Sequence, residues 1–537
     1  MSPPPPVTPD GAGKPTRRFA PSPTPTASLE SVLAIGLCLV VVFSALAFME
    51  RSRVIARTLQ EMHVKEFSRP RRMVPPRGAF PGADARPSLV VLLSLDTLRA
   101  DHLDLYGYER ETAPNLRRLG EESVVFTMVA AQATQTLVSH KSLLTGKYPL
   151  TLMLEETGAD LLTLTSEPDP HRYLVETMGA VQPTLAAGLR QRGYRTAGFT
   201  DGAWMGRDAG FDLGFDHFDD SGGGLAGVLP RVHDWLASKA ADTLFVFAHA
   251  YDTHCPYTTR EPFESAFCPD HSRHLPLGDK CGKGGLNDMA LSAADWQAVV
   301  DHYDAGILAA DDLVGRFLEA LREQGLYDRA LIVITSDHGE SLGERGYVGH
   351  GGLHVEELSV PLIVRFPSSW NVTPRRVDEP VELVDLLPTI FTLCGVPTTP
   401  DLDGSSLLPI VFRGVRGRDF LVAQTTFEEP LSKGTEPTAR TLLRPGRWQV
   451  VQDPRQLSSY FYNLESDPRG LTGRRIPEEE FGSLLDALTV RGEAGRKGRR
   501  REPTITFSPE LASELASLGY GAAPLPEAGD EPATGLR

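Results

Sequence analysis

Three apolar runs of strand length, each ending in carboxylates or imidazoles, constrain this chain more than any other feature. Ser88–Leu95 leads into Asp96 and Arg99–Asp101, Asp242–His249 into Asp252 and His254, and Ala330–Ser336 into Asp337 and His338. Continuous rather than alternating hydrophobicity belongs to strands covered on both faces. Helix-like segments separate the runs: Ala113–Leu119, Pro183–Arg190, and 297–324 with Ile307, Leu308, Leu313, Phe317 and Leu321 at helical spacing. Tyr194–Phe199 and Pro361–Phe366 read as two further strands. This alternation predicts an α/β fold, a sheet with helices on both faces. In such sheets ligands gather at the carboxyl ends of the strands, where the polar clusters fall.

The stretch Ala133–Pro149 has a different composition. Small and hydroxyl residues lead, Thr136 and Ser139 among them, and an apolar helical run follows that stops at Gly146 and Pro149. That order predicts a turn into a helix N-terminus, with a hydroxyl presented near free backbone N–H groups. Such a hydroxyl is a nucleophile toward an anionic ester if its pKa is lowered. It is equally an ordinary N-cap.

Outside the alternating region the chain changes character. Residues 1–27 are rich in Pro, Ser and Thr and read as a disordered tail. Residues 28–50 contain the uncharged run Ser31–Met49, close to the minimum of about 17 residues for a spanning helix. A transmembrane helix or signal anchor is expected there, or a signal peptide cleaved near Ala45–Ala47. The expected place is a membrane, with the catalytic domain outside the cytoplasm. The flanking charges leave the orientation open, since Arg51, Arg53, Arg57 and Lys65 follow the run and would favour a cytoplasmic C-terminal side. Residues 51–87 read as a linker, 88–415 as the catalytic domain, 416–519 as a smaller C-terminal α+β subdomain, and 520–537 as a disordered tail. A net charge of −16 argues against a nucleic-acid partner. Of five cysteines, Cys255, Cys268 and Cys281 share one loop-rich stretch where a bridge could form outside the cytoplasm, and none lies near Thr136.

Asp96, the pair Asp337–His338 and the His249/Asp252/His254 cluster thus fall at successive strand ends, with Thr136 at a helix start. Two carboxylates, an imidazole and a hydroxyl make a divalent-metal site, and the metal would lower the hydroxyl pKa and screen a charged ester. Taken singly, Asp96–Thr97 could be a helix cap, Asp337–Gly339 a turn and His254 a satisfied loop histidine.

At this point the motifs become specific. Leu95–Asp101 (LDTLRAD), Ala113–Leu116 (APNL), Thr136–Pro149, Ser336–Glu340 (SDHGE), Val360–Val364 (VPLIV), Val384–Thr389 (VDLLPT) and Asp403–Pro409 (DGSSLLP) resemble the sulfatase family of the alkaline phosphatase superfamily. The resemblance runs over roughly residues 88–470 in order. It implies a mixed sheet between helices, a smaller C-terminal sheet, and metal-dependent ester hydrolysis or transfer. Carried over residue by residue, it implies Asp96, Asp337 and His338 as metal ligands together with Thr136, which falls at the nucleophile. His254 falls at the histidine near the leaving group, His350 where many sulfatases have a substrate-binding Lys, and Ser139 at the motif's Ser, a substrate-binding position. His140 stands where true sulfatases carry a catalytic Arg.

The departures bear on the reaction. A sulfatase nucleophile is Cys or Ser oxidised to formylglycine. Thr136 carries a methyl on Cβ, so the same oxidation gives no aldehyde, and no formylglycine is expected. Val138 and His140 also break the Cys/Ser-x-Pro-x-Arg signature. A Thr nucleophile resembles superfamily members that act on phosphate esters through a phosphothreonine, resolved by water or by an acceptor alcohol. Thr97 replaces one of the usual carboxylates and His338 the usual Asn. Fewer carboxylates plus an imidazole favour Zn²⁺ or Mn²⁺ over Ca²⁺, with Ca²⁺ still possible. His350, Asp252 and His254 are candidates for a second metal, and a single metal is assumed. The reading is therefore a membrane-tethered hydrolase of a phosphate or sulfate ester, phospho-ester favoured, on a small-molecule, lipid or glycan substrate. The alternatives are a phosphoryl-group transferase at the membrane surface and a catalytically silent binding protein.

Overall fold

The computed structural model describes residues 86–149, 151–152, 184–239, 243–258, 261–268, 285–399, 401–418, 420–425, 439–453 and 458–476. The expected tails at 1–27 and 520–537 and the membrane segment at 28–50 lie outside the described residues. Among those described, no helix is long and apolar enough to cross a membrane.

The eight strands of the main sheet, in chain order, are β1 (Leu89–Leu95), β2 (Val124–Phe126), β3 (Arg195–Phe199), β4 (His217–Asp219), β5 (Leu244–Ala250), β6 (Ala330–Thr335), β7 (Leu362–Arg365) and β8 (Arg375–Val377). Their spatial order is β8-β2-β7-β6-β1-β5-β3-β4. Strand β1 pairs in parallel with β5 on one side and β6 on the other. Only β7 runs antiparallel, against both β6 and β2, so the sheet is mixed, as the resemblance implies.

Each apolar run is continuous because its two faces enter two different cores. Val90 and Leu92 pack on one side of β1, while Leu89, Val91, Leu93 and Leu95 pack on the other. Full burial of each such side chain contributes roughly 1.5–3 kcal/mol. Helices α1 (Pro114–Glu121), α4 (Gly224–Ser238) and α5 (Ala293–Glu323) cover the second face through Leu116, Val228, Val232, Val299 and Val314. Helices α2 (Thr136–Thr145), α3 (Leu185–Gln191) and α6 (Leu386–Cys394) cover the first through Leu143, Leu144, Leu189 and Ile390. Helix α5 starts at a capping box in which Ser292 and Asp295 satisfy each other's backbone N–H groups. Its buried stripe runs Val299, Tyr303, Ile307, Ala310, Val314, with Leu308 and Leu313 only partly buried.

The C-terminal segment adds a five-stranded antiparallel sheet: β9 (Leu421–Thr425), β10 (Ala439–Arg444), β11 (Trp448–Asp453), β12 (Ser458–Asn463) and β13 (Gly473–Ile476). Leu421, Ala423, Leu443, Val451 and Tyr462 join the same core as α2 and α6.

Candidate active site

Register brings the three polar strand ends level. Ser94 of β1 lies opposite His249 on β5 and Thr335 on β6, so Asp96 and Asp337, just past their strands, converge with His249 at the carboxyl edge of the sheet. The turn that carries Asp96 is strained. Thr97 has a φ of 56°, a left-handed conformation that β-branched residues rarely adopt. Its surroundings hold it there. The Tyr303 hydroxyl donates to the Thr97 carbonyl at 2.8 Å and accepts the Arg99 N–H at 2.9 Å. Thr97 N–H donates to Asp337 Oδ1 at 3.3 Å, and Leu98 N–H to Ser336 Oγ at 3.0 Å. The fully buried Arg99 guanidinium donates to Asp101, Glu344 and the Glu340 carbonyl, tying this turn to the Ser336–Glu340 stretch.

Asp96, Asp337 and His338 are fully buried and offer ligand atoms that all lie within 4.8 Å of one another. Each carboxylate has one oxygen engaged and one without a hydrogen-bond partner. Asp96 Oδ2 faces His249 Nε2 at 3.0 Å, leaving Oδ1; Asp337 Oδ1 takes the Thr97 N–H, leaving Oδ2. His338 donates from Nδ1 to the Gly339 carbonyl at 2.9 Å, so its Nε2 lone pair points toward Asp337 Oδ2, 3.4 Å away. Burial pushes the Asp96 carboxyl up to about 7 and, with the Asp96 charge beside it, raises Asp337 as well. Burial also holds His338 neutral. Two buried carboxylate oxygens and an imidazole lone pair, all lacking donors, form a donor set that a divalent cation would satisfy.

Thr136 is the first residue of α2, and Gln135, not Thr136, is its N-cap. The hydroxyl is therefore not used for capping. Thr136 Oγ1 lies 3.5 Å from His338 Nε2 at the mouth of the carboxylate pair. The helix ends at Gly146 in the left-handed region, as the sequence predicts. Two expectations on this helix take a different form. Ser139 was assigned to substrate, but its hydroxyl donates to the Asp337 carbonyl at 2.6 Å and serves to hold that strand end. His140 was assigned a catalytic part, but it is fully buried, with Nδ1 donating to the Thr136 carbonyl at 2.8 Å and Nε2 facing Ser94 Oγ at 2.9 Å. Burial lowers its pKa to about 4, so it is a neutral prop for α2 rather than a stand-in for a cationic Arg.

Across the site His254 and His350 meet. His350 donates from Nδ1 to the Thr134 carbonyl at 2.6 Å, and His254 from Nδ1 to the Cys255 carbonyl. Both Nε2 atoms consequently carry lone pairs, and they face each other at 3.1 Å. A proton or a cation between them resolves that contact. Glu340 completes a second group with these histidines, its Oε2 taking the Tyr257 hydroxyl at 2.6 Å and its Oε1 lacking a partner. Burial raises Glu340 to about 8. Glu340 lies within SDHGE, two residues past His338, and that spacing is its signal in the sequence. Asp252, a candidate for a second metal, does not join this group. Its carboxylate accepts the Leu225 N–H at 2.7 Å, at the start of α4. Beside His254, Cys255 is disulfide-bonded, whereas Cys268 is a free thiol.

Comparison with known proteins gives concordant matches. A family model described as Sulfatase matches residues 88–227 and 226–396, more than half of the chain. The N-acetylglucosamine-6-O-sulfatase of Bacteroides thetaiotaomicron is 34% identical over 130 residues, 24% of this chain and 23% of that protein. Phosphatidylethanolamine transferase Mcr-1 of Escherichia coli is 23% identical over 329 residues, 58% of this chain and 54% of that one. Each match spans less than two thirds of the relative's own length. Among solved structures, the phosphonate monoester hydrolase of Agrobacterium radiobacter superposes with a TM-score of 0.57 at 20% identity, covering 81% of this chain and 95% of that one. That last likeness is one of fold.

Proposed function

The chain belongs to the sulfatase family, and from that premise we propose that it is a metal-dependent hydrolase of phosphate or related esters with Thr136 Oγ1 as its nucleophile. The observation that carries this reading is the placement of the Thr136 hydroxyl 3.5 Å from His338 Nε2, beside the Asp96 and Asp337 carboxylates. Asp96, Asp337 and His338 would hold the cation, joined by Thr136, and the imidazole favours Zn²⁺ or Mn²⁺. When bound, the cation supplies Lewis acidity that lowers the threonine pKa and screens the ester oxygens.

The chain's own groups do the rest. Thr136 Oγ1, its proton lost to solvent beforehand, attacks phosphorus, the Oγ–P bond forms and the P–O bond to the leaving alcohol breaks. Burial lowers His254 to about 3 and His350 to about 4, so the pair takes up a shared proton at its facing Nε2 atoms only with the anionic ester beside it, and delivers that proton to the departing oxygen. Water then displaces the phosphoryl group from Thr136 and returns a proton to the pair. His350 also meets the substrate, while Ser139 and His140 keep the Asp337 strand end and α2 in register. If a second cation at His254, Glu340 and His350 replaces the shared proton, metal analysis reads two ions per chain rather than one. The uncharged run Ser31–Met49, in our reading, holds this domain at a membrane surface, facing away from the cytoplasm.

A second reading has its own support. The match to Mcr-1, a phosphatidylethanolamine transferase, spans 58% of this chain, and favours an acceptor alcohol in place of water in the second step. The unpartnered donor set argues against a silent binding protein.

The test pairs metal analysis with turnover of chromogenic phosphate monoester, phosphodiester, phosphonate and sulfate esters. Phospho-ester turnover should require the metal, vanish in Thr136→Ala, survive in part in Thr136→Ser, and leave a phosphoryl mass on the Thr136 peptide after rapid quench. An added alcohol that diverts product to a phosphorylated alcohol would select transfer. Turnover confined to the sulfate ester, or retained in Thr136→Ala, overturns the Thr-nucleophile reading.

A further inference from the structure

We propose that His249, outside the ligand and nucleophile sets above, is the positioning residue that fixes Asp96 and leaves Asp96 Oδ1 as the atom offered to the cation; this rests on the metal-dependent reading. His249 is fully buried in β5, a strand whose other residues, Leu244–Ala248 and Ala250, are apolar. It shares a register position with Ser94 and meets the His140 ring edge-on, with centroids 4.8 Å apart.

The tautomer follows from the contact. Asp96 must be ionised to hold a cation and can then only accept, so the hydrogen in the 3.0 Å contact sits on His249 Nε2 and is donated to Oδ2. His249 Nδ1 is then the bare nitrogen, and it is buried without a hydrogen-bond partner. A buried unpartnered nitrogen opposes folding, a cost that leucine would not carry at this apolar strand position. The hydrogen bond that imidazole supplies and leucine cannot is the one to Asp96. Its effect is to occupy one carboxylate oxygen and hold the plane of the group, which pre-aims the other. Asp337 is aimed in the same way by the Thr97 N–H. Groups that orient a ligand typically change metal affinity by about 10- to 100-fold when removed.

The experiment measures zinc affinity of the full chain by chelator competition, alongside thermal unfolding of the metal-free protein. His249→Leu sheds the unpartnered Nδ1 but leaves Asp96 Oδ2 buried without its donor, so the metal-free protein should unfold somewhat earlier than wild type, and it should bind zinc about 10- to 100-fold more weakly. His249→Gln, whose amide nitrogen takes the place of Nε2, should restore affinity to within a few-fold, while His249→Asn, too short to reach Oδ2, should not. Should His249→Leu fail to fold, the Gln and Asn variants carry the test between them. Wild-type affinity in His249→Leu overturns the proposal, and so does equal affinity in the Gln and Asn variants. Absence of both zinc and manganese binding by the wild type overturns the metal-dependent reading itself, a failure distinguished by appearing before any substitution.

Discussion

Thr136 and Thr97 show how much a single side chain decides in this site. Thr136 has a Cβ methyl that bars the aldehyde chemistry of oxidised sulfatase nucleophiles, and it stands as the first residue of a buried helix with its hydroxyl uncommitted to capping. Thr97, at φ 56°, contributes its N–H to Asp337. That conformation persists because the Tyr303 hydroxyl bridges the Thr97 carbonyl and the Arg99 N–H. Tyr303→Phe should therefore leave both backbone groups buried without partners. It should cost about 1–3 kcal/mol in urea unfolding, and slow turnover by roughly ten- to a hundredfold as Asp96 drifts. Unchanged turnover at reduced stability would show that the clamp supports the fold without aiming the carboxylate. Asp96, Asp337 and His338 were legible in the sequence because they sit in short motifs directly after apolar runs. Tyr303 was not, because it falls in the buried stripe of α5 and looks like core. His249 and Glu340 were visible as residue types, but their parts depend on which ring nitrogen or oxygen is committed, which spacing does not encode. The glycine of SDHGE has a simple reason: a Cβ on Gly339 would overlap the Glu356 carbonyl.

Among elements, the α/β alternation was legible because burial on both faces writes a continuous apolar run, and the three central strands are those with the longest runs. Short strands such as β2 and β8 carry too few residues for any pattern, so the mixed character of the sheet came from family resemblance. Helix-to-helix contacts were hidden too. Asp311 of α5 accepts the N–H groups of Asn115 and Leu116, each at 2.8 Å, and so supplies partners for first-turn amides of α1. Burial raises its carboxyl to about 6 against those hydrogen bonds. A folded-state pKa above the unfolded value of 3.8 means that the folded protein holds the proton more tightly. The resulting stabilisation is full below the unfolded pKa and is lost as pH rises through about 6. Urea unfolding should accordingly show a fall in stability between about pH 4 and pH 6 that is present in wild type and absent in Asp311→Asn. Asp311→Ala should in addition lose about 1–3 kcal/mol at neutral pH from the orphaned amides. Parallel pH profiles for wild type and Asp311→Asn would show that this carboxyl does not titrate in that window.

On the scale of the whole molecule, the site depends on the docking of the C-terminal sheet, a relation no local motif records. His350 rides a turn between Gly349 and Gly351, both in the left-handed region with φ of 123° and 122°, and that turn is pinned from outside. Arg345 pairs with Glu356 and donates to the Gly470 carbonyl at 2.8 Å, Tyr347 donates to Glu357, and Gln449 of β11 donates to the Leu353 carbonyl. Arg345 is 18% exposed and Glu356 4%, so the pair is largely shielded from water. Arg345→Ala leaves the Glu356 carboxylate buried without its cation and also cuts the tie to Gly470. Urea unfolding should report a loss of about 3 kcal/mol, and ester turnover should show a lower kcat with a higher KM, since His350 is no longer held against His254. Adding Glu356→Gln removes the orphaned charge and should recover most of the stability. It does not rebuild the tie to Gly470, so turnover should stay low in the double variant. Recovery of both together would mean that the buried charge alone was responsible, and that the C-terminal sheet does not help to place His350.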